Sequence, residues 1–148
     1  MERKRWLFFV ALAGLGLAAA GIRIALDRFG HLPFNADEAV VALMARHILA
    51  GERPIFFYGQ AYMGSLDAFL VAGGFALFGE SVTSIRSVQL VLYLYTCGLF
   101  AAAANLTFGR KTALAALAFL TLGGVTLVLY TSATLGGYNE ALLLGAAQ

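Results

Sequence analysis

The sequence opens with Glu2-Arg3-Lys4-Arg5 and continues into an apolar run from Trp6 to Ile24, WLFFVALAGLGLAAAGIRI. This run has about the 20 residues that an α-helix needs to cross the hydrocarbon core of a bilayer. It is longer than the apolar core of a secretory signal peptide, which has about 7 to 15 residues, and it ends in the charged stretch 23–28 instead of a small-residue cleavage site. The sequence therefore favours a retained membrane helix over a cleaved signal.

The charges around this first span predict its orientation. Arg3, Lys4 and Arg5 precede it, and charge beyond it is sparse. Since basic residues collect on the cytoplasmic side of membrane helices, we expect a cytoplasmic N-terminus and an external location for the residues after Leu26. We therefore predict an integral membrane protein that crosses its membrane several times.

The composition supports a membrane protein. The 148 residues are 61% hydrophobic and 12% charged, with a mean hydropathy of +0.82. Soluble domains carry about twice that share of charged residues, so a soluble class is excluded. The net charge of +2 comes from scattered basic residues without an aromatic-rich basic face, which excludes nucleic acid as a partner.

Further apolar segments extend over 66–78, 88–104, 112–130 and from 141 onward. We predict an all-α polytopic membrane helix bundle of four to five spans, with 1–148 as a single membrane region. Segment 66–78 gives only about 20 Å of helix against a hydrocarbon core of about 30 Å, so it either spans as a short helix or is re-entrant.

Residues 27–65 form the predicted external loop, because both histidines, both prolines and half of the acidic residues fall in it. Asn35 begins a predicted juxtamembrane helix as its cap, Glu38 completes a capping box, and Gly51 ends the helix with Pro54 beyond. By helical spacing, Asp37 shares a face with apolar residues of this helix.

Two interpretations of Asp37 and Glu38 remain open. Acidic residues in a first turn complement the helix dipole, which contributes about 0.3 to 1 kcal/mol each. Alternatively, a carboxylate above an apolar layer can accept a proton from a sugar or lipid hydroxyl, or ligate a divalent cation. No spacing of His31, His47 or Cys97 fits a metal site, so no metal ligands are predicted.

The stretch 55–67 is aromatic and shows neither a helical nor a strand period. Its four aromatic residues, among them Tyr58 and Tyr62, are typical of an interfacial belt. Alternatively Tyr58, Gln60 and Tyr62 form the wall of a saccharide or isoprenoid pocket. In the second interpretation Gly59 and Gly64 allow close backbone approach.

Asp67 lies one residue into the next apolar segment, where a buried acid usually faces a wet cavity or a partner. Its candidate partners are Arg53, Arg46 and His47.

Three further residues are candidates for binding. Arg86 precedes an apolar run and is either an interfacial arginine or a phosphate contact. Tyr138 and Glu140 open the last apolar run after Gly136-Gly137, as a loop and helix start or as further site residues.

Together these residues resemble the N-terminal part of a GT-C class membrane glycosyltransferase, and in particular its bacterial mannosyltransferase-like or lipopolysaccharide-core transferase-like branch. The resemblance covers the whole chain and implies a location in the bacterial inner membrane. It is carried, in the family's order, by Asp37-Glu38-Ala39, Leu49-Ala50-Gly51, Pro54, the stretches 56–60 and 62–67, Leu77-Phe78-Gly79-Glu80-Ser81, Arg86 and Gly136-Gly137-Tyr138.

The resemblance implies transfer of a sugar from a polyprenyl-phosphate donor to a lipid, glycan or protein acceptor on the external face, with inversion at the anomeric carbon. Asp37 matches the acidic residue that the family uses in catalysis. Glu38, its neighbour in the helix turn, would support Asp37 in that role. Two departures leave the donor sugar open. Gly64-Ser65 replaces a usual proline pair, and Leu135 stands where a basic residue is common.

Family members are much longer, so the resemblance also implies that this chain is the N-terminal portion of a larger transferase. The alternative is a small non-enzymatic membrane protein, such as a transporter fragment or an assembly subunit. In that case Asp67 and Glu140 line a polar path and Asp37 only caps a helix.

Overall fold

Seven helices and one short hairpin make up the described part of the chain. The computed structural model describes residues 2–148, with side chains from residue 5 onward. The elements are α1 (Glu2–Arg28), α2 (Ala36–Leu49), β1 (Phe56–Phe57), β2 (Gln60–Gly64), α3 (Leu66–Phe78), α4 (Val82–Phe108), α5 (Arg110–Thr121), α6 (Val125–Ser132) and α7 (Tyr138–Ala146). The all-α class is therefore confirmed. The side chains of Arg3 and Lys4, on which the orientation prediction depends, lie outside the described part.

Two helices are long and apolar enough to cross a membrane. They are 5–28 and α4, with mean hydropathies of 2.1 and 1.6 over their most apolar windows. The predicted segment 112–130 is not one straight helix, because α5 and α6 meet at an angle of 79° around Gly123-Gly124. The bent pair could form a third span. The prediction of four to five spans is thus not confirmed; α3 and α7 are too short.

The ends of α2 follow the local signals in the sequence. The Asn35 side chain accepts a hydrogen bond from the backbone N–H of Glu38, and the Glu38 carboxylate accepts one from the backbone N–H of Asn35. Gly51 has a φ of 106°, which a residue with a Cβ rarely adopts. The predicted capping box and glycine stop are both confirmed.

The aromatic stretch after Pro54 is more regular than its sequence suggests. β1 and β2 form an antiparallel hairpin, with Phe56 opposite Gly64 and Phe57 opposite Gln60. Ser65 closes the base of this hairpin by donating its hydroxyl to the carbonyl oxygens of Pro54 and Ile55, at 2.6 and 3.1 Å. The sequence shows no strand period here because β1 has only two residues and the five residues of β2 do not alternate in burial.

Two apolar clusters hold the helices together. The first joins α2, α3 and the start of α4 around Val41, Met44, Val71 and Ile85. The second joins α1, α4 and α5, where Tyr93 and Cys97 are fully buried. The first cluster fixes the start of α2 and the hairpin, the elements that carry most of the predicted site residues.

Candidate functional site

Four of the predicted site residues line one cavity, which we call the Asp37 cavity. Its volume is about 560 Å³. Asp37 reaches it from the first turn of α2, Gln60 and Tyr62 from β2, Tyr130 from α6, and Tyr138 from the start of α7. Tyr130 is an addition that the sequence interpretation missed.

The walls of this cavity combine a carboxylate with an amide and aromatic rings. Asp37 is exposed, and no ion pair within the described residues involves it. The Tyr62 hydroxyl donates to the Gln60 side-chain oxygen at 2.8 Å, and the rings of Tyr130 and Tyr138 pack edge to face at 4.6 Å. Such a wall can stack on a sugar ring and bond its hydroxyls, because rings and polar tips lie side by side.

Glu38 differs sharply from its neighbour, since its side chain is completely buried. Arg86 binds it through two nitrogens, Nη1 to Oε1 at 2.7 Å and Nη2 to Oε2 at 3.0 Å. Burial raises the pKa of the Glu38 carboxyl, and the Arg86 guanidinium opposes that rise. The buried face of α2 therefore contains Glu38 and not Asp37, which corrects the predicted face.

Arg86 is not a snorkelling interfacial arginine. Its guanidinium is also largely buried and not open as a whole to a ligand. It is 8% exposed and also donates to the carbonyl oxygens of Leu32 and Ser132, at 3.2 and 2.9 Å. Its Nε lies 3.5 Å from an Asp27 oxygen. Arg86 thus fastens α4 to the loop after α1, to α2 and to α6.

Asp67 also has partners other than those predicted. Its carboxylate accepts hydrogen bonds from the Gln89 amide at 2.9 Å and from the Thr134 hydroxyl. Arg46 instead pairs with Glu80, and the Arg53 guanidinium donates to backbone carbonyls. His47 bonds the Tyr58 hydroxyl.

Tyr58 does not line the Asp37 cavity. Its hydroxyl lies 2.9 Å from His47 Nδ1 and donates to the Glu52 carboxylate at 3.0 Å. Gly59 and Gly64 do not line the Asp37 cavity either, and Gly59 supplies the positive φ of 79° in the hairpin turn.

At Gly136 the backbone packs closely against a side chain of the hairpin. A Cβ there would collide with the Met63 side chain, and the φ of 80° is unfavourable for other residues. We expect Gly136→Ala to lower the free energy of unfolding by about 1–3 kcal/mol and to deform the Asp37 cavity. Thermal unfolding in detergent measures the loss of stability. Gly14→Ala on α1, where a Cβ meets nothing within 4 Å, is the control and should not destabilise the protein.

A buried polar network lies beside the cavity. Asp67 and Glu140 are neighbours that are 2% and 4% exposed, and within the described residues neither carboxyl oxygen of Glu140 has a hydrogen-bond partner. Asn139 donates to the Gln89 side-chain oxygen at 2.9 Å. The predicted binding roles of Asp67 and Glu140 are therefore not supported by exposure to the cavity.

This network predicts unequal effects of two matched substitutions. Asp67→Asn places a second donor against Gln89 and Thr134, so we expect a loss of about 1–3 kcal/mol of unfolding free energy. Glu140→Gln removes one of two adjacent carboxyls and supplies a donor to Asp67, so stability should be unchanged or increased. Chemical unfolding in detergent distinguishes the two; an equal loss in both variants would contradict this account.

Several residues of the site were missed from the sequence, and one signal could have found two of them. Gln89 and Arg23 are polar residues inside apolar runs, and both are buried. Polar groups at such positions are usually paired or functional. Thr134 and Asn139 flank the Gly136-Gly137 loop and gave no comparable signal.

In the described part of the chain, no group of three or more His, Cys, Asp or Glu side chains is placed to hold a metal ion. Comparison with protein-family models, with curated proteins and with solved structures gives no match to this chain. The function therefore has to be inferred from the chemistry of the site itself.

Proposed function

We propose that this chain is part of a GT-C type membrane glycosyltransferase, which transfers a sugar from a polyprenyl-phosphate donor to a lipid, glycan or protein acceptor at the external face. The observation that carries the proposal is the Asp37 cavity. There the exposed Asp37 carboxylate, which forms no ion pair within the described residues, lines the same cavity as Gln60, Tyr62 and Tyr138, in a chain with two helices apolar enough to cross a membrane.

In the proposed reaction the acceptor hydroxyl lies against Asp37, which takes its proton. The acceptor oxygen attacks the anomeric carbon as the bond from that carbon to the phosphate oxygen breaks, with its electron pair leaving on the polyprenyl phosphate. The configuration inverts. Glu38 does not touch the reactants; it holds the first turn of α2 in place through Asn35 and Arg86.

Its exposure favours Asp37 as the base over the other three predicted acids of the site. Asp37 is exposed to a cavity, whereas Glu38, Asp67 and Glu140 are buried.

The alternative of a non-enzymatic membrane protein with a polar path is less well supported. Asp67 and Glu140 would have to line that path, yet both are buried against each other and against Gln89.

The direct test incubates membranes carrying the full protein with a panel of labelled polyprenyl-phosphate sugars. Transfer of label to an acceptor fraction, absent from membranes without the protein, is the expected result. Ion or solute flux in liposomes without any transfer would overturn the proposal in favour of the non-enzymatic alternative.

A further inference from the structure

Asp67 and Glu140, which we call the carboxyl pair, are adjacent buried acids without a positive charge to balance them. Asp67 lies in the first turn of α3 and Glu140 in the first turn of α7. Within the described residues, no ion pair involves either group. Two ionised carboxylates side by side in a protein interior are strongly unfavourable, so such a pair holds either a proton or a cation.

The elements packed around the carboxyl pair supply no counter-charge to it. Arg86 is the only charged residue of α4, and it binds Glu38 of α2. The titratable groups that α6 and α7 add are the phenols of Tyr130 and Tyr138, and tyrosines ordinarily titrate near pH 10. The other charged or titratable side chains of α1, α2 and α4 near this level contact other groups or face away: Arg23, Asp37, Arg46, His47, Tyr93, Tyr95 and Cys97.

The hydrogen bonds indicate which of the two carboxyl groups is neutral. Both oxygens of Asp67 accept a hydrogen bond, one from the Gln89 amide at 2.9 Å and the other from the Thr134 hydroxyl, as an ionised carboxylate does. Burial raises the pKa of Asp67, and these bonds oppose that rise. Neither oxygen of Glu140 has a hydrogen-bond partner within the described residues, and burial together with the adjacent Asp67 raises the pKa of Glu140 to about 8. Glu140 is therefore the protonated member at neutral pH.

The carboxyl pair is connected to one wall of the Asp37 cavity. Thr134, which is fully buried and bonds Asp67, belongs to the loop 133–137 between α6 and α7. Residues 135–138 line the Asp37 cavity, and Glu140 follows them in the first turn of α7. Both members of the pair therefore hold the segment that forms this wall, one through a hydrogen bond and the other through the chain itself.

We propose that the carboxyl pair is a proton-binding site, in which one proton held between Asp67 and Glu140 keeps loop 133–137 against α3. Loss of this proton at alkaline pH places two buried anions side by side. Their repulsion is relieved when the Glu140 carboxylate moves out to water, which displaces the loop and opens the Asp37 cavity at this wall. Sugar transfer is not required for this behaviour.

The bound proton also makes the stability of the protein depend on pH. In the unfolded chain Glu140 loses its proton near its ordinary pKa of 4.5, whereas in the folded chain it keeps the proton up to a pH of about 8. Between these values the folded state holds one more proton than the unfolded state. The free energy of unfolding therefore falls as the pH rises through this range, and a glutamine at position 140 removes that part of the fall.

The first experiment measures the free energy of unfolding of the full protein in detergent at intervals from about pH 5 to about pH 9, because its slope against pH counts the protons released on unfolding. We expect the slopes of the original protein and of Glu140→Gln to differ by about one proton. Glu80→Gln, at an exposed acid, is the control and should keep the original slope. Equal slopes in the original protein and in Glu140→Gln would overturn the proposal. If Glu140→Gln fails to fold, Asp67→Asn removes the other carboxyl and should abolish the same difference.

The second experiment measures the opening of loop 133–137. Ala133→Cys, at a buried position next to Thr134, reports exposure through its reaction with a water-soluble thiol reagent, in a protein that also carries Cys97→Ala. Because thiol reactivity itself rises with pH, each rate is compared with that of the same cysteine in a Glu140→Gln protein at the same pH. We expect equal rates near pH 6 and an about tenfold faster reaction without the Glu140→Gln change near pH 9.

Two other results have defined meanings. If replacing sodium chloride by choline chloride abolishes the difference between the original protein and Glu140→Gln, a cation and not a proton occupies the carboxyl pair, and the proposal is wrong. If the slopes differ as expected but the cysteine at position 133 reacts equally in both proteins at every pH, the proton stabilises the interior without holding the loop, which would overturn the proposed opening of the Asp37 cavity.

Discussion

Replacing Arg86 by glutamine should lower the free energy of unfolding by about 3–5 kcal/mol, because the variant leaves the Glu38 carboxylate buried without its cation. The same change removes the donors to the Leu32 and Ser132 carbonyl oxygens. Three connections to α4 are lost together, from the loop after α1, from α2 and from α6. Chemical unfolding in detergent, followed by circular dichroism, measures the loss.

The matched control for this prediction is Arg46→Gln. Arg46 pairs with Glu80 at 3.2 Å, but both side chains are more than half exposed. Exposed ion pairs contribute about 0 to 1 kcal/mol, so this variant should remain close to the original protein. A double variant, Arg86→Gln with Glu38→Gln, should recover part of the loss because it removes the unpaired charge. Similar losses in Arg86→Gln and Arg46→Gln would contradict the account.

The predictable parts of the fold are those that depend on local signals between neighbouring residues. The boundaries of α2 follow from Asn35, Glu38 and Gly51, whose signals act within a few residues. α3 likewise has the bounds of its apolar segment, 66–78. The first span was evident from length and composition alone, because no other kind of element needs so long an apolar run.

The parts that were not predictable depend on contacts between distant residues. Arg86 and Glu38 are 48 positions apart, and Thr134 and Asp67 are 67 apart. Sequence patterns do not show which of two adjacent acids turns inward. Helical spacing placed Asp37 on the apolar face, yet the ion pair with Arg86 sets Glu38 there and leaves Asp37 free for the cavity.

The predicted number of spans is not confirmed for a related reason. Hydropathy counts apolar residues along the chain, but it does not show where a helix breaks. The segment 112–130 bends by 79° around Gly123-Gly124, and α3 and α7 have 13 and 9 residues. Short apolar helices of this kind pack against longer ones, so their sequences resemble membrane spans without having the necessary length.

Asp37→Asn should abolish most of the proposed sugar transfer while leaving the protein folded. The amide keeps the size of the side chain but cannot take the acceptor proton, so we expect a loss of about 10²- to 10⁴-fold in rate. Stability should fall by no more than about 1 kcal/mol, because Asn35 and Glu38 still form the capping box and only the contribution of the charge to the helix dipole is lost.

Glu80→Gln is the control, since it makes the same carboxylate-to-amide change at an exposed acid that lies outside the Asp37 cavity. Labelled transfer in membranes that carry equal amounts of each full protein compares the two rates, and a rate for Asp37→Asn equal to that of Glu80→Gln would remove Asp37 from the chemistry.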